Sequence, residues 1–168
     1  VDEAAGLVEG LLKKMPENQA LVYERAMLYL AQDRPDAAIS IVEEILLTDP
    51  DNPQALNFIG YSLADQGVRL DEAESMIRRA LEQEPTAGYI MDSLGWVYYQ
   101  RGEYNKALEW LEKAIAHEGE DAEILEHIGD THRALNNRSK ARNIYRRALD
   151  ITTSALIRER IEAKLEDL

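Results

Sequence analysis

Small residues recur along this chain at a fixed interval, and that interval restricts the fold more than any other property. Ala38, Ala73, Ala107 and Ala141 are separated by 35, 34 and 34 residues. Ala26, Gly60, Gly95 and Gly129 follow steps of 34, 35 and 34, and Ala80, Ala114 and Ala148 steps of 34. Pro16, Pro50 and Pro85 keep the same beat at 34 and 35. Self-similarity at this period marks stacked supersecondary units, each of which buries its apolar face only against a neighbour.

Each period reads as two helices. Leu56, Ile59, Gly60 and Leu63 share one helical face, and Ala73, Ile77, Ala80 and Leu81 share a second. The small residues stand where two helix backbones must approach closely. Gly67 and Gly102 end a first helix, and Leu70-Asp71-Glu72-Ala73 and Tyr104-Asn105-Lys106-Ala107 open a second. Pro50 and Pro85 then stop it, and Asn52-Pro53 predicts an N-cap followed by proline in the first turn. The chain thus divides into a half repeat over 1–18, full repeats over 19–52, 53–87, 88–121 and 122–153, and a closing helix over 154–168. That makes about ten helices in one all-α solenoid. A stack that opens on half a hairpin leaves its first helix unpartnered, so we expect this chain to be a piece of a longer protein.

These residues resemble the tetratricopeptide repeat (TPR) family. Its pattern is carried best by Met91, Leu94-Gly95, Tyr98, Gly102, Tyr104, Ala107, Leu111 and Ala114, and next by Leu56, Ile59-Gly60, Leu63, Gly67, Ala73, Ile77, Ala80 and Pro85. Weaker copies run through Val22, Arg25-Ala26, Tyr29, Ala38, Val42, Ile45 and Pro50, and through Leu125, Ile128-Gly129, His132, Ala141, Tyr145 and Ala148. Residues 2–16 match only a second helix. Departures are Gly119 and Thr153 where proline is usual, Arg25 and His132 at core positions, and one extra residue in the Gly67–Leu70 turn. The phrasing of the middle copies is similar to bacterial multi-repeat members. The resemblance implies a right-handed superhelix of antiparallel hairpins that binds other proteins and carries no catalytic centre.

Nothing in the residues argues for chemistry. There is no cysteine, no Gly-x-Gly pair and no His-Glu-x-x-His. His127 and His132 are five apart, about 140° around a helix, which separates them as ligands. His132 reads as a buried core histidine and His117 as a helix-terminal cation. Neither enzyme activity nor a cofactor is expected. The formal charge of −13 disfavours nucleic acid and anionic membranes, and no apolar run is long enough to insert in a bilayer. This stretch holds no targeting segment, which leaves the cytoplasm, or the periplasm and envelope if the parent protein is exported. Charge is uneven: residues 1–121 hold 24 acids and 10 bases, and residues 122–168 hold 8 acids and 9 bases.

In the family the first helices of successive hairpins line a concave surface. Carried onto this chain, the resemblance implies a groove formed by Tyr23, Met27 and Leu30, by Asn57, Tyr61, Ala64 and Asp65, by Asp92, Trp96, Tyr99 and Gln100, and by Glu123, Glu126, Asp130 and Arg133. Tyr61, Trp96 and Tyr99 are the candidate anchors, with packing against the neighbouring hairpin as the alternative for Trp96. Acids flank them, so the expected partner is a protein segment with apolar residues and Lys or Arg. The carboxylate clamp of chaperone-binding members is missing from these positions. Arg138, Arg142 and Arg146 form a basic ladder four residues apart, a candidate surface for an acidic partner or phosphates, with solvation or pairing to nearby acids as the favoured reading. The alternative to a groove scaffold is a structural spacer that self-associates.

Overall fold

The computed structural model describes residues 2–15 and 18–168, with side chains from residue 6 onward. Pro16, one of the periodic prolines, lies outside the described residues. Ten helices follow one another: α1 (Asp2–Leu12), α2 (Gln19–Ala31), α3 (Pro35–Thr48), α4 (Pro53–Asp65), α5 (Leu70–Gln83), α6 (Gly88–Gln100), α7 (Tyr104–Glu118), α8 (Ala122–Ala134), α9 (Arg138–Ile151) and α10 (Ala155–Glu166). No strand occurs among the described residues. Consecutive helices pack as hairpins, α2 on α3, α4 on α5, α6 on α7 and α8 on α9, and each hairpin packs on the next.

The periodic small residues sit at the helix crossings. A Cβ placed on Gly60 would lie 2.6 Å from Ile77 Cγ1, and one on Gly129 would lie 2.4 Å from Tyr145 Cε1. A Cβ at either position would force the second helix of the same hairpin to shift, which favours glycine there. Ala38, Ala73, Ala107 and Ala141 meet them from the other side and are fully buried.

The turns between the helices of each hairpin share one backbone device. Asp33, Gly67, Gly102 and Asn136 all have positive φ, between 57° and 75°, and stand at one register position. Glycine takes this conformation without strain, and Asn and Asp tolerate it best among the rest. The extra residue of the Gly67–Leu70 turn is absorbed at Arg69, also at positive φ, whose guanidinium is tied to Glu72. Asn52 caps α4, its side chain accepting from the Ala55 amide at 2.9 Å, and Pro53 occupies the first turn.

The core forms three successive clusters along the stack, bridged by the half-buried Leu81 and Trp110 and then by Ile115 and Ile144. Val42, Leu56, Ile59, Ile77, Leu94, Leu111, Leu125 and Tyr145 are all buried. Its final layer is set by α10, whose Ile161 is fully buried against Leu125, Ala141, Tyr145 and Ala148. Between hairpins a polar cluster adds to the apolar contacts. The Tyr98 hydroxyl donates to Glu74 at 2.7 Å, and Arg78 and Arg101 converge on the same carboxylate. Burial pushes the Glu74 pKa up, but these donors outweigh it and hold it down to about 2.

Candidate functional site

The first helices α2, α4, α6 and α8 contribute side chains to one continuous surface, and its N-terminal half is an open pocket of about 460 Å³. Tyr23, Met27 and Leu30 come from α2, Asn57, Phe58 and Tyr61 from α4, Tyr89 and Asp92 from α6, and Glu123 and His127 from α8. The groove residues Tyr23, Met27, Asn57, Tyr61 and Asp92 are therefore brought together. Met27 is 56% exposed and, with Tyr89, puts exposed apolar surface into this pocket. Asn57 Oδ1 is sealed from solvent and has no hydrogen-bond partner among the described residues. A second depression of about 220 Å³ joins at Leu30 and Tyr61 and adds Asp33 and Asp65.

The C-terminal half of the same surface is filled. Trp96 is not an exposed anchor: it is 9% exposed because both its faces are covered. Tyr99 stacks on it at 4.4 Å and His127 at 4.3 Å, and its Nε1 donates to Asp65 at 3.3 Å. Nor do Asp92, Glu126 and Asp130 form an open acidic rim. Asp92 holds His127 Nδ1 at 2.8 Å. Glu126, 1% exposed, takes Arg160 on both oxygens at 2.7 and 2.6 Å and Lys164 at 2.6 Å. Asp130 accepts from the Tyr145 hydroxyl and from Lys164, each at 2.6 Å, with Arg133 at 3.7 Å. The physical reason is desolvation: a carboxylate packed between helices must find cations, and α10 supplies them.

Those cations obey the repeat. Arg160 stands 34 residues after Glu126, and Lys164 34 after Asp130. Helix α10 thus occupies the place of a further first helix, and its groove positions carry the bases that neutralise the preceding ones. Extending the groove register past residue 153 exposes this pairing in the sequence alone.

Electrostatics follow from the packing. Burial pushes the Glu126 pKa up, but Arg160 and Lys164 outweigh it and hold it below the usual carboxylate range. Burial alone would lower the His127 pKa, yet Asp92, with Asp130 and Glu126 beyond, raises it above the ordinary histidine value. The satisfied buried histidine is His127. His132, expected in that role, is half-buried, and its Nδ1 has no partner among the described residues. His127 stands one residue beyond a groove position, so the carried-over pattern passes it by.

Family models agree with this architecture. Models described as tetratricopeptide repeat match residues 1–60 and 122–156, and one described as TPR repeat matches residues 95–136. The chain belongs to the tetratricopeptide repeat family. A TPR repeat-containing protein of Pseudomonas aeruginosa is 36% identical over 121 residues, which are 71% of this TPR chain and 20% of the relative. The fold matches a thermophilic TPR protein of Thermus thermophilus with a TM-score of 0.83 at 24% identity, covering 99% of this chain and 91% of that one. It also matches a TPR protein of Parabacteroides merdae with a TM-score of 0.84 at 19% identity, covering 98% and 63%. TPR proteins generally mediate protein–protein interactions, and the fold is generally non-catalytic. No described helix is long and apolar enough to cross a membrane.

Proposed function

We propose that this TPR chain is a non-catalytic scaffold that holds a segment of a partner protein in the N-terminal half of its concave face, in an assembly or adaptor role. The observation that supports the reading best is the open pocket across α2, α4, α6 and α8, with Asn57, whose Oδ1 has no partner among the described residues, in its wall. Tyr23, Met27, Phe58 and Tyr61 supply apolar surface for partner side chains. An extended peptide brings backbone N–H and C=O groups, and a turned Asn57 amide meets either.

Charge then selects among peptides. Asp65 and Glu123 are exposed at the edges of the two depressions, Glu123 with only Arg160 at 3.7 Å, whereas Glu126 and Asp130 are buried against their cations. The favoured partner carries apolar residues beside one or two Lys or Arg, met by Asp65 and Glu123.

Peptides selected from a displayed random library against the chain provide the test, with affinities measured by fluorescence anisotropy. Tyr61→Ala and Asn57→Ala should each weaken the best peptide by about tenfold, as expected for loss of a buried contact or hydrogen bond worth ~1.4 kcal/mol. Binding that survives both changes contradicts the reading.

A further inference from the structure

We infer that Asp92 and His127 form a cation subsite of the open pocket, where a Lys or Arg of the bound segment exchanges with a proton on His127. The inference rests on the groove reading above and deepens it: capture of the partner is coupled to proton release.

The pair stands in the pocket wall, at the seam between the two halves of the concave face. His127 Nδ1 meets Asp92 at 2.8 Å, and the same ring stacks on Trp96 at 4.3 Å. Each side chain keeps one polar atom to spare. Asp92 Oδ2 and His127 Nε2 have no hydrogen-bond partner among the described residues, and neither is sealed from solvent. Among the described residues the pocket lining includes two acids, Asp92 and Glu123, and no Lys or Arg. Its own base is therefore an imidazole, a group that gives up its charge near neutral pH.

The groups around the ring set its charge. Asp92 reaches it from α6 and Tyr61 from α4, at 6.3 Å, with Asp65 of α4 beyond on Trp96 Nε1. On α8 itself Glu123 stands one turn before it, Glu126 beside it and Asp130 one turn after. Arg160 and Lys164 of α10 hold Glu126, Lys164 holds Asp130, and Arg160 lies 3.7 Å from Glu123. The other sides of α8 meet α7 through Leu111 and α9 through Tyr145, whose hydroxyl is on Asp130. Burial disfavours the charged ring, but Asp92, Asp130 and Glu126 outweigh it and hold the pKa above the ordinary 6.5.

While His127 is charged, Nε2–H is a donor and the pair is neutral in sum, so an incoming cation gains nothing there. When the Nε2 proton leaves for solvent, Nδ1–H still donates to Asp92, Nε2 becomes an acceptor and the carboxylate charge is unbalanced. An ammonium or guanidinium from the partner then donates to Oδ2 or Nε2 and restores the balance. Affinity for a cationic segment is thus level above the folded pKa and falls below it. By reciprocity the bound segment lowers the His127 pKa.

Peptides selected against the whole chain test this, N-acetylated because a terminal amine titrates in the same range. Fluorescence anisotropy between about pH 5.5 and 9 should show affinity falling toward ~10-fold per unit below the His127 midpoint. Calorimetry in two buffers of different ionisation enthalpy should count about one proton released in that range, and proton NMR should find the His127 midpoint lower in the complex. Replacing the peptide's Lys or Arg by Gln should flatten the profile, as should His127→Gln, with circular dichroism to establish its fold. If that variant is not folded, the peptide replacement and the native His127 midpoint decide. A Lys- or Arg-bearing peptide that binds equally at every pH with no proton exchanged, or with proton uptake, overturns the inference and leaves the groove standing. A chain that selects no peptide at any pH overturns both.

Discussion

The two halves of the concave face are built on the same repeat, yet one is open and the other closed. At one register position the chain places Tyr23, Asn57, Asp92, Glu126 and Arg160, and at the next Met27, Tyr61, Trp96, Asp130 and Lys164. Read in order, both ladders pass from apolar or aromatic through acidic to basic. Where neighbouring rungs are complementary, they satisfy one another and close the surface, as Glu126 and Asp130 do with Arg160 and Lys164. Where neighbouring rungs have nothing to exchange, as at Tyr23 and Asn57 or Met27 and Tyr61, the surface remains open. Similar backbones thus give an open pocket or a sealed wall according to which side chains meet across successive repeats.

Single substitutions should separate the halves by stability, measured by urea unfolding. Asp130→Ala removes the acceptor of a buried tyrosine hydroxyl and one of the two acids held by Lys164, and should cost about 3 kcal/mol. Glu126→Ala should cost about 2 kcal/mol, less because Arg160 and Lys164 are partly exposed and can turn to Glu123 and Asp130. Asp92→Asn keeps a hydrogen bond to His127 but loses the charge, and should cost about 1 kcal/mol near neutral pH. Met27→Ala, in the open half, should change stability by less than ~0.5 kcal/mol while weakening partner binding. A large loss at Met27 or none at Asp130 would break the distinction.

Acid and base should act on the buried charges of the concave face with opposite signs. Glu126 has a depressed pKa, so its contribution is complete above the ordinary glutamate value and is lost as pH falls through the lower folded one. His127 has a raised pKa, so its contribution is complete below the ordinary histidine value and is lost as pH rises through the higher folded one. Proton NMR of the His127 ring should give a midpoint above 6.5, falling below it in Asp92→Asn. A midpoint unmoved by that change would show that Asp92 does not govern the ring.

Much of the fold was legible because packing at the helix crossings leaves a short-range signature. A side chain at Gly60, Gly95 or Gly129 would crowd the facing helix, so their spacing of 35 and 34 residues marks the crossing of both helices in each hairpin. The groove was legible only in part. Tyr23, Met27, Asn57 and Tyr61 line the pocket, but whether Trp96 or Glu126 is open depends on what packs across it. Trp96 is covered by His127 from the next hairpin, and Glu126 is reached by α10, so both outcomes rest on partners about 31 to 34 residues away. Helical periodicity within one helix does not report such pairs. Comparing the same register position in successive repeats finds Glu126 with Arg160 but passes over Trp96 with His127.

Backbone and side-chain NMR of the chain titrated with a library-selected peptide separates the open half from the closed one. Shifts should concentrate at Tyr23, Met27, Asn57 and Tyr61, with the Glu126, Asp130, Arg160 and Lys164 signals unmoved. Shifts centred on Glu126 and Asp130, with α10 released from α8, would contradict that division.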